Sequence, residues 1–97
     1  MMRVLFAPTA LLDLERLRDF LRPKNPAAAK RAAQVIVNTI KILERNPQIG
    51  RSVEGMDDLA YRELLIDFGD SGYVARYRLP VDAVIVLAVH HQREAGF

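Results

Sequence analysis

The sequence predicts a single α+β domain spanning residues 1–97, in the order β-α-α-β-β-β, with an antiparallel helical hairpin packed on a small, mainly antiparallel sheet. Three observations carry this reading. Apolar residues recur at three- and four-residue spacing between positions 10 and 43, the period switches to two after position 60, and prolines at 23, 26 and 47 punctuate the helical part.

Arg3-Val4-Leu5-Phe6 reads as a short strand with Val4 and Phe6 on one face, stopped by Ala7-Pro8-Thr9. Thr9 is the expected cap of the first helix, whose face is Ala10, Leu14, Leu17 and Leu21. Arg22-Pro23 ends it, because proline drives the residue before it out of the helical region. Asn25-Pro26 restarts the chain as an N-cap followed by proline at the first helical position. The second helix is expected from Pro26 to about Arg45, with Ala29, Ala32 or Ala33, Ile36, Ile40 and Leu43 as its stripe and Asn46-Pro47 closing it. Its alanines allow close approach of the first helix. A second apolar set, Ala28, Val35, Thr39 and Ile42, widens the stripe and fits either packing on a sheet or a protein-binding face.

Beyond Gly50-Arg51 a polar loop is expected, and then Leu64, Ile66 and Phe68 alternate with Leu65 and Asp67 as a strand. Gly69-Asp70-Ser71-Gly72 is a hairpin turn. On the next strand Tyr73, Ala75 and Tyr77 share one face while Val74, Arg76 and Arg78 share the other. The unbroken apolar run Ala83 to Val89 is expected to be a central strand covered on both faces. The expected core is Leu14, Leu17, Leu21, Ile36, Ile40, Leu43, Ile66, Phe68, Val84, Val86 and Leu87.

Composition bounds the function. With 51% hydrophobic and 27% charged residues the chain is a folding domain rather than a disordered one, and 97 residues leave no room for a second core. The absence of cysteine removes disulfides and thiolate chemistry. The longest apolar run is far below the ~20 residues of a membrane helix, and the amino terminus lacks a signal-peptide layout, so no membrane association and a cytoplasmic location are expected. Residues 1–50 carry nine Lys and Arg against four acids, a net of +5, whereas residues 51–97 carry five against eight, a net of −3. The basic surface is amino-terminal.

No phosphate-cradling glycine loop, nucleophile elbow or metal-ligand spacing is present. His90 and His91 are adjacent on a strand and point to opposite faces, so a metal site is not expected, and no cofactor is implied. The remaining chemistry is Arg62, Tyr73, Arg76, Tyr77, Arg78, His90, His91 and Arg93, a tyrosine and arginine set suited to stacking on bases or to a protein interface. Alternation allows only the arginine pair or the tyrosine pair of the second meander strand to line one site.

The ordered fragments Ala10-Leu11-Leu12-Asp13-Leu14, Asn25-Pro26, Asn46-Pro47-Gln48-Ile49-Gly50-Arg51, Tyr61-Arg62-Glu63-Leu64, Gly72-Tyr73-Val74-Ala75-Arg76-Tyr77 and His91-Gln92-Arg93-Glu94 give the whole chain a resemblance to the RelE/ParE toxins of type II toxin–antitoxin systems. The resemblance implies a growth-inhibiting or plasmid-stabilising toxin neutralised by a cognate ParD-like or RelB-like antitoxin, with operator DNA reached only through that antitoxin. RelE-type members cut mRNA on the ribosome by activating a 2′-hydroxyl, which needs proton-transfer groups and cations. Where their basic strand residues would lie this chain has Leu64-Leu65-Ile66-Asp67, and Phe97 stands where a tyrosine would be wanted. If the chain is a nuclease, His90, His91, Arg76 and Arg93 are its catalytic candidates. ParE-type members bind DNA gyrase without chemistry of their own, and the depleted cationic cluster favours that branch. The expected target-binding residues are then Arg62, Arg76, Arg78 and Arg93, and the expected antitoxin contacts are Val35, Ile42, Tyr73 and Tyr77. An inert antitoxin-binding member is the third alternative.

Overall fold

The computed structural model describes residues 1–55 and 60–94. Strand β1 (Arg3–Phe6) leads into helices α1 (Pro8–Leu21) and α2 (Pro26–Lys41), a 3₁₀ turn over Ile42–Glu44, and then strands β2 (Arg51–Ser52), β3 (Tyr61–Phe68), β4 (Ser71–Arg78) and β5 (Ala83–His91). The five strands form one sheet in the order β1-β5-β4-β3-β2. β1 runs parallel to β5 and every other pair is antiparallel. Both helices lie on one face of the sheet, as the sequence predicts.

α2 opens as its sequence requires: the Asn25 side chain accepts the Ala28 N–H at 3.0 Å and Pro26 occupies the first helical position. Its stripe, Ala29, Ala32, Ile36 and Ile40, is buried, and Leu43 in the 3₁₀ turn is fully so. Each large aliphatic side chain here contributes roughly 1.5–3 kcal/mol. The helix stops at Lys41 rather than near Arg45, because the chain tightens into the 3₁₀ turn there. α1 starts earlier than expected, at Pro8, with Ala7 as its N-cap and no side-chain cap. Thr9 has another task, donating its hydroxyl to Leu87 O at 2.7 Å.

Gly69 has φ +62 at the first central position of the two-residue turn joining β3 to β4, the conformation a II′ turn demands. At Gly72, φ is +146 and an added Cβ would meet Ile66 O at 2.0 Å, so only glycine fits. β2 is a strand where the sequence reads as loop: its two residues reach Glu63 and Arg62 of β3.

Along β5 the register against β4 shifts between Arg76 and Tyr77, which pair with Ala88 and Val86. The extra residue, Leu87, is a bulge that reverses side-chain parity. Val84, Val86 and Val89 therefore all enter the core, while Leu87 is only half-buried and lies outside the core cluster. Leu14, Leu21 and Phe68 pack against the core as partly buried residues. Among the described residues no helix is long and apolar enough to cross a membrane.

Candidate functional site

The sheet face opposite the helices is built of three rows read from the strand registers. One row is Leu5, Ile85, Arg78 and Tyr61; the next is Ala88, Arg76, Glu63 and Arg51; the third is His90, Val74 and Leu65. Glu63 sits in the middle row between two guanidinium groups, bonding Arg51 Nε at 3.2 Å and Arg76 Nη2 at 3.1 Å. Its single charge leaves the row net positive. Arg78 is exposed and its guanidinium carbon lies 5.8 Å from the centre of the Tyr61 ring. Apolar Leu5 and Leu65 are exposed beside these cations. Such a face, with arginines over an aromatic and aliphatic ground, suits binding to another macromolecule.

Arg62 points the other way. Its Nη1 donates to Gln48 O at 3.2 Å and Gly50 O at 2.9 Å, fixing the loop that precedes β2. Tyr77 holds the same loop from inside the core: its hydroxyl accepts the Gly50 N–H at 2.9 Å and donates to Pro47 O at 2.8 Å. Burial raises the Tyr77 phenol above its ordinary pKa, against the Gly50 hydrogen bond and the Arg62 charge. Burial raises that of Tyr73 as well. With Tyr77 0% and Tyr73 3% exposed, these tyrosines are core residues. Of the alternating pairs on β4, the tyrosines took the inside because their face lies under the helices.

At the end of β5 the histidines are tied into the structure. His91 Nδ1 accepts the Arg93 N–H at 3.1 Å, which places the proton of the neutral ring on Nε2, directed at Ser71 Oγ 3.1 Å away. Neither ring nitrogen then presents a lone pair to a substrate hydroxyl, and Ser71 gains no base from this pairing. The ring meets Tyr73 edge-on at 5.4 Å. His90 lies on the opposite face, 3.7 Å from Asp13 and 3.9 Å from Glu94. Arg93 is exposed. Phe97 lies outside the described residues. Among the described residues no three His, Asp or Glu side chains converge in a metal-binding arrangement.

These contacts belong to a lock between α1 and the open side of β5. β1 pairs only with Ala83 to Val86, so farther along β5 the outward backbone needs other partners. α1 supplies them from one face: Thr9 donates to Leu87 O, Asp13 accepts the Val89 N–H at 2.9 Å, and Arg16 bonds Glu94, whose carboxylate also accepts the His91 N–H at 3.0 Å. Burial pulls the Glu94 carboxyl upward, but the hydrogen bonds from Arg16 and His91 outweigh it and leave it below its ordinary pKa. The bond to Glu94 raises the Arg16 guanidinium in turn.

On the helical side, a groove of about 470 Å³ runs between α1 and α2 over Pro26, Ala29, Ala33 and Val37, rimmed by Arg18, Arg22 and Lys30. A deeper crevice of about 140 Å³ continues between Leu17, Leu21, Ala32 and Ile36 to Tyr73 at its floor. The alanine face of α2 opens this space instead of closing it. Val35 is turned partly into the core, and Ile42 is exposed on the 3₁₀ turn, away from the groove. The sequence marks the basic half of the chain but not Arg18, Arg22 and Lys30 as one rim, since they come together only when the helices pair.

The model of the family described as "ParE toxin of type II toxin-antitoxin system, parDE" matches residues 4–96. The chain is 35% identical over 94 residues to Toxin RelE3 of Caulobacter vibrioides, covering 97% of this chain and 98% of that relative. It is 36% identical over 91 residues to Toxin RelE1 of the same organism, covering 94% of each. Among solved structures it resembles the chromosomal ParDE toxin–antitoxin system of P. aeruginosa, with a TM-score of 0.76, 23% identity and coverage of 94% of this chain and 96% of that one. It also resembles the conserved protein HP0894 of Helicobacter pylori, with a TM-score of 0.55, 14% identity and coverage of 99% and 100%.

Proposed function

Since the chain belongs to the ParE toxin family of type II toxin–antitoxin systems, we propose that it arrests bacterial growth by binding DNA gyrase through the open face of its sheet and is neutralised by a cognate antitoxin held on the helical hairpin. The observation that carries the gyrase reading is the state of the proton-transfer candidates. His91 has its Nδ1 lone pair bonded to the Arg93 N–H, His90 lies between two carboxylates, and Tyr73 and Tyr77 are buried with raised pKa values. Cleaving RNA at a 2′-hydroxyl needs an accessible base and acid, and binding does not. Arg78 and Arg76 present their charge on the open face and Arg93 is exposed just beyond β5, whereas Arg62 is committed to the loop. On the other side, the groove rimmed by Arg18, Arg22 and Lys30 complements an acidic amphipathic segment.

The names of the two Caulobacter relatives support a second reading, a RelE-type nuclease acting on ribosome-bound mRNA. One experiment separates the two. Purified chain is incubated with gyrase, ATP and supercoiled plasmid, and linear DNA is expected only when gyrase is present. Arg78→Ala and Arg93→Ala should each lower the yield about tenfold, equivalent to roughly 1.4 kcal/mol of lost binding, with folding unchanged. No linear DNA at excess folded protein, together with cleavage of mRNA on stalled ribosomes, would overturn the gyrase reading.

A further inference from the structure

We propose that the outer edge of β1 joins a second copy of this chain, β1 against β1 in an antiparallel register centred on Leu5, so that two five-stranded sheets become one continuous sheet.

The direction of the backbone along β1 is fixed by its bonds. Ala7 N–H donates to Val86 O of β5 at 2.8 Å, and in an extended strand both backbone groups of a residue point the same way, so odd-numbered residues of β1 face β5. Even-numbered residues face outward. On that side the Met2 N–H is taken by Glu44 O at 2.8 Å. The N–H and C=O of Val4 and Phe6 meet no strand among the described residues. Farther along the same side of the sheet α1 satisfies β5 with Thr9 and Asp13, which leaves Val4 and Phe6 as the open stretch. Unpaired ladder groups of this kind template the addition of another strand.

Hydrogen-bond accounting selects the register. A two-fold pair centred on Leu5 sets Val4 opposite Phe6 of the second copy, and Phe6 opposite its Val4, closing four bonds that use every outward group of both residues. The next residues in line are Met2, whose N–H is already bonded, and Pro8, which has none. Centring on Val4 would set Phe6 against Met2 and leave the Phe6 carbonyl without a donor. Centring on Phe6 would set Val4 against Pro8 and leave the Val4 carbonyl without one.

The side chains fit the same register. Leu5, 41% exposed on the open face, meets Leu5 of the second copy in a non-hydrogen-bonded pair, where side chains lie closest. On the helix side Val4 meets Phe6, both only partly buried in the single chain. Arg3 falls opposite Ala7, so no like charges face each other across the join. The row of Leu5, Ile85, Arg78 and Tyr61 then runs unbroken across the two-fold axis. Five strand spacings separate its two Arg78 residues, placing them about 24 Å apart on one surface. The contact is small, so the dimer is expected at micromolar concentrations and above.

The test is sedimentation velocity on the full chain across that range, with residue-resolved amide exchange at its two ends. The chain is expected to pass from monomer to dimer, and the Val4 and Phe6 amides to slow about tenfold or more as it does. Leu5→Lys sets two ammonium groups against each other and Leu5→Glu two carboxylates, so each variant alone should stay monomeric with an unchanged thermal midpoint. Mixed in equal amounts they should associate again, which a misfolded variant would not do. Val4→Pro removes only an outward N–H, which an edge strand tolerates, and with it two of the four bonds, so the dimer should weaken about thirtyfold. A chain that stays monomeric at about 1 mM overturns the proposal. So does a dimer whose Val4 and Phe6 amides exchange as in the monomer, or one that Leu5→Lys and Val4→Pro leave intact.

Discussion

Replacing Tyr77 by phenylalanine removes a single oxygen from a fully buried ring, and the structure sets what that oxygen does. It accepts the Gly50 N–H at 2.9 Å and donates to Pro47 O at 2.8 Å, joining β4 to a loop 27 to 30 residues earlier in the chain. The loop lies so close that a Cβ added at Gly50 would come within 2.5 Å of the hydroxyl, so it cannot move inward to find another partner. Two hydrogen bonds are lost, and a buried N–H is left without an acceptor. At about 1 kcal/mol per bond plus the cost of the orphaned donor, the expected loss is about 2–3 kcal/mol. That is a large share of the stability of a domain this size and corresponds to roughly 10–20 °C in thermal midpoint. Equilibrium urea unfolding followed by circular dichroism measures it, with an unchanged slope showing that the native and unfolded states keep their compactness. A loss below about 0.5 kcal/mol would refute the assignment of Tyr77 as the anchor of this loop and reopen it as a residue kept for a partner.

Asp13→Ala should cost about 1–2 kcal/mol, because the Val89 N–H at the sealed edge loses its acceptor. Asp13→Asn keeps an oxygen there and should recover most of that loss, a comparison of thermal midpoints that separates hydrogen bonding from charge. Glu94 has a folded pKa below its ordinary value, so its stabilising contribution is present above the ordinary glutamate pKa and is lost as pH falls through the folded value. Urea midpoints of the wild type and Glu94→Gln should accordingly differ at pH 7 and converge in acid. A difference that stays constant across that range would place the effect of Glu94 in packing rather than in its charge.

The elements were legible where a local rule sufficed. The Asn25-Pro26 start of α2, its Ala29, Ile36, Ile40 and Leu43 stripe, and the Gly69 turn each follow from steric and capping chemistry within a few residues. The alternation of β4 belongs to the same class. α1, by contrast, ends at Leu21 with Arg22 still helical at φ −55 and ψ −45, so Pro23 stops the helix through its missing N–H and not by driving Arg22 out of the helical region. β2 was not legible, since two residues form a strand only because Arg62 and Glu63 are presented to them.

The sequence by itself determined the order of elements, the inward face of each helix, the split of β4 into a tyrosine and an arginine face, and the family. Tertiary structure decided which face became the interior. Val89 replaced Leu87 in the core because a bulge in β5 shifts parity, and a bulge is a property of two paired strands that no single strand's periodicity contains. Tyr73, Tyr77, His91 and Arg62 are tied into the fold for the same reason: their partners, Ile66, Gly50, Ser71 and Gln48, lie 7 to 27 residues away in the chain and meet them only when the sheet closes. The surfaces that remain, an arginine-bearing sheet face and a basic groove between helices, are made by packing, and packing is where the sequence hands the decision to the fold.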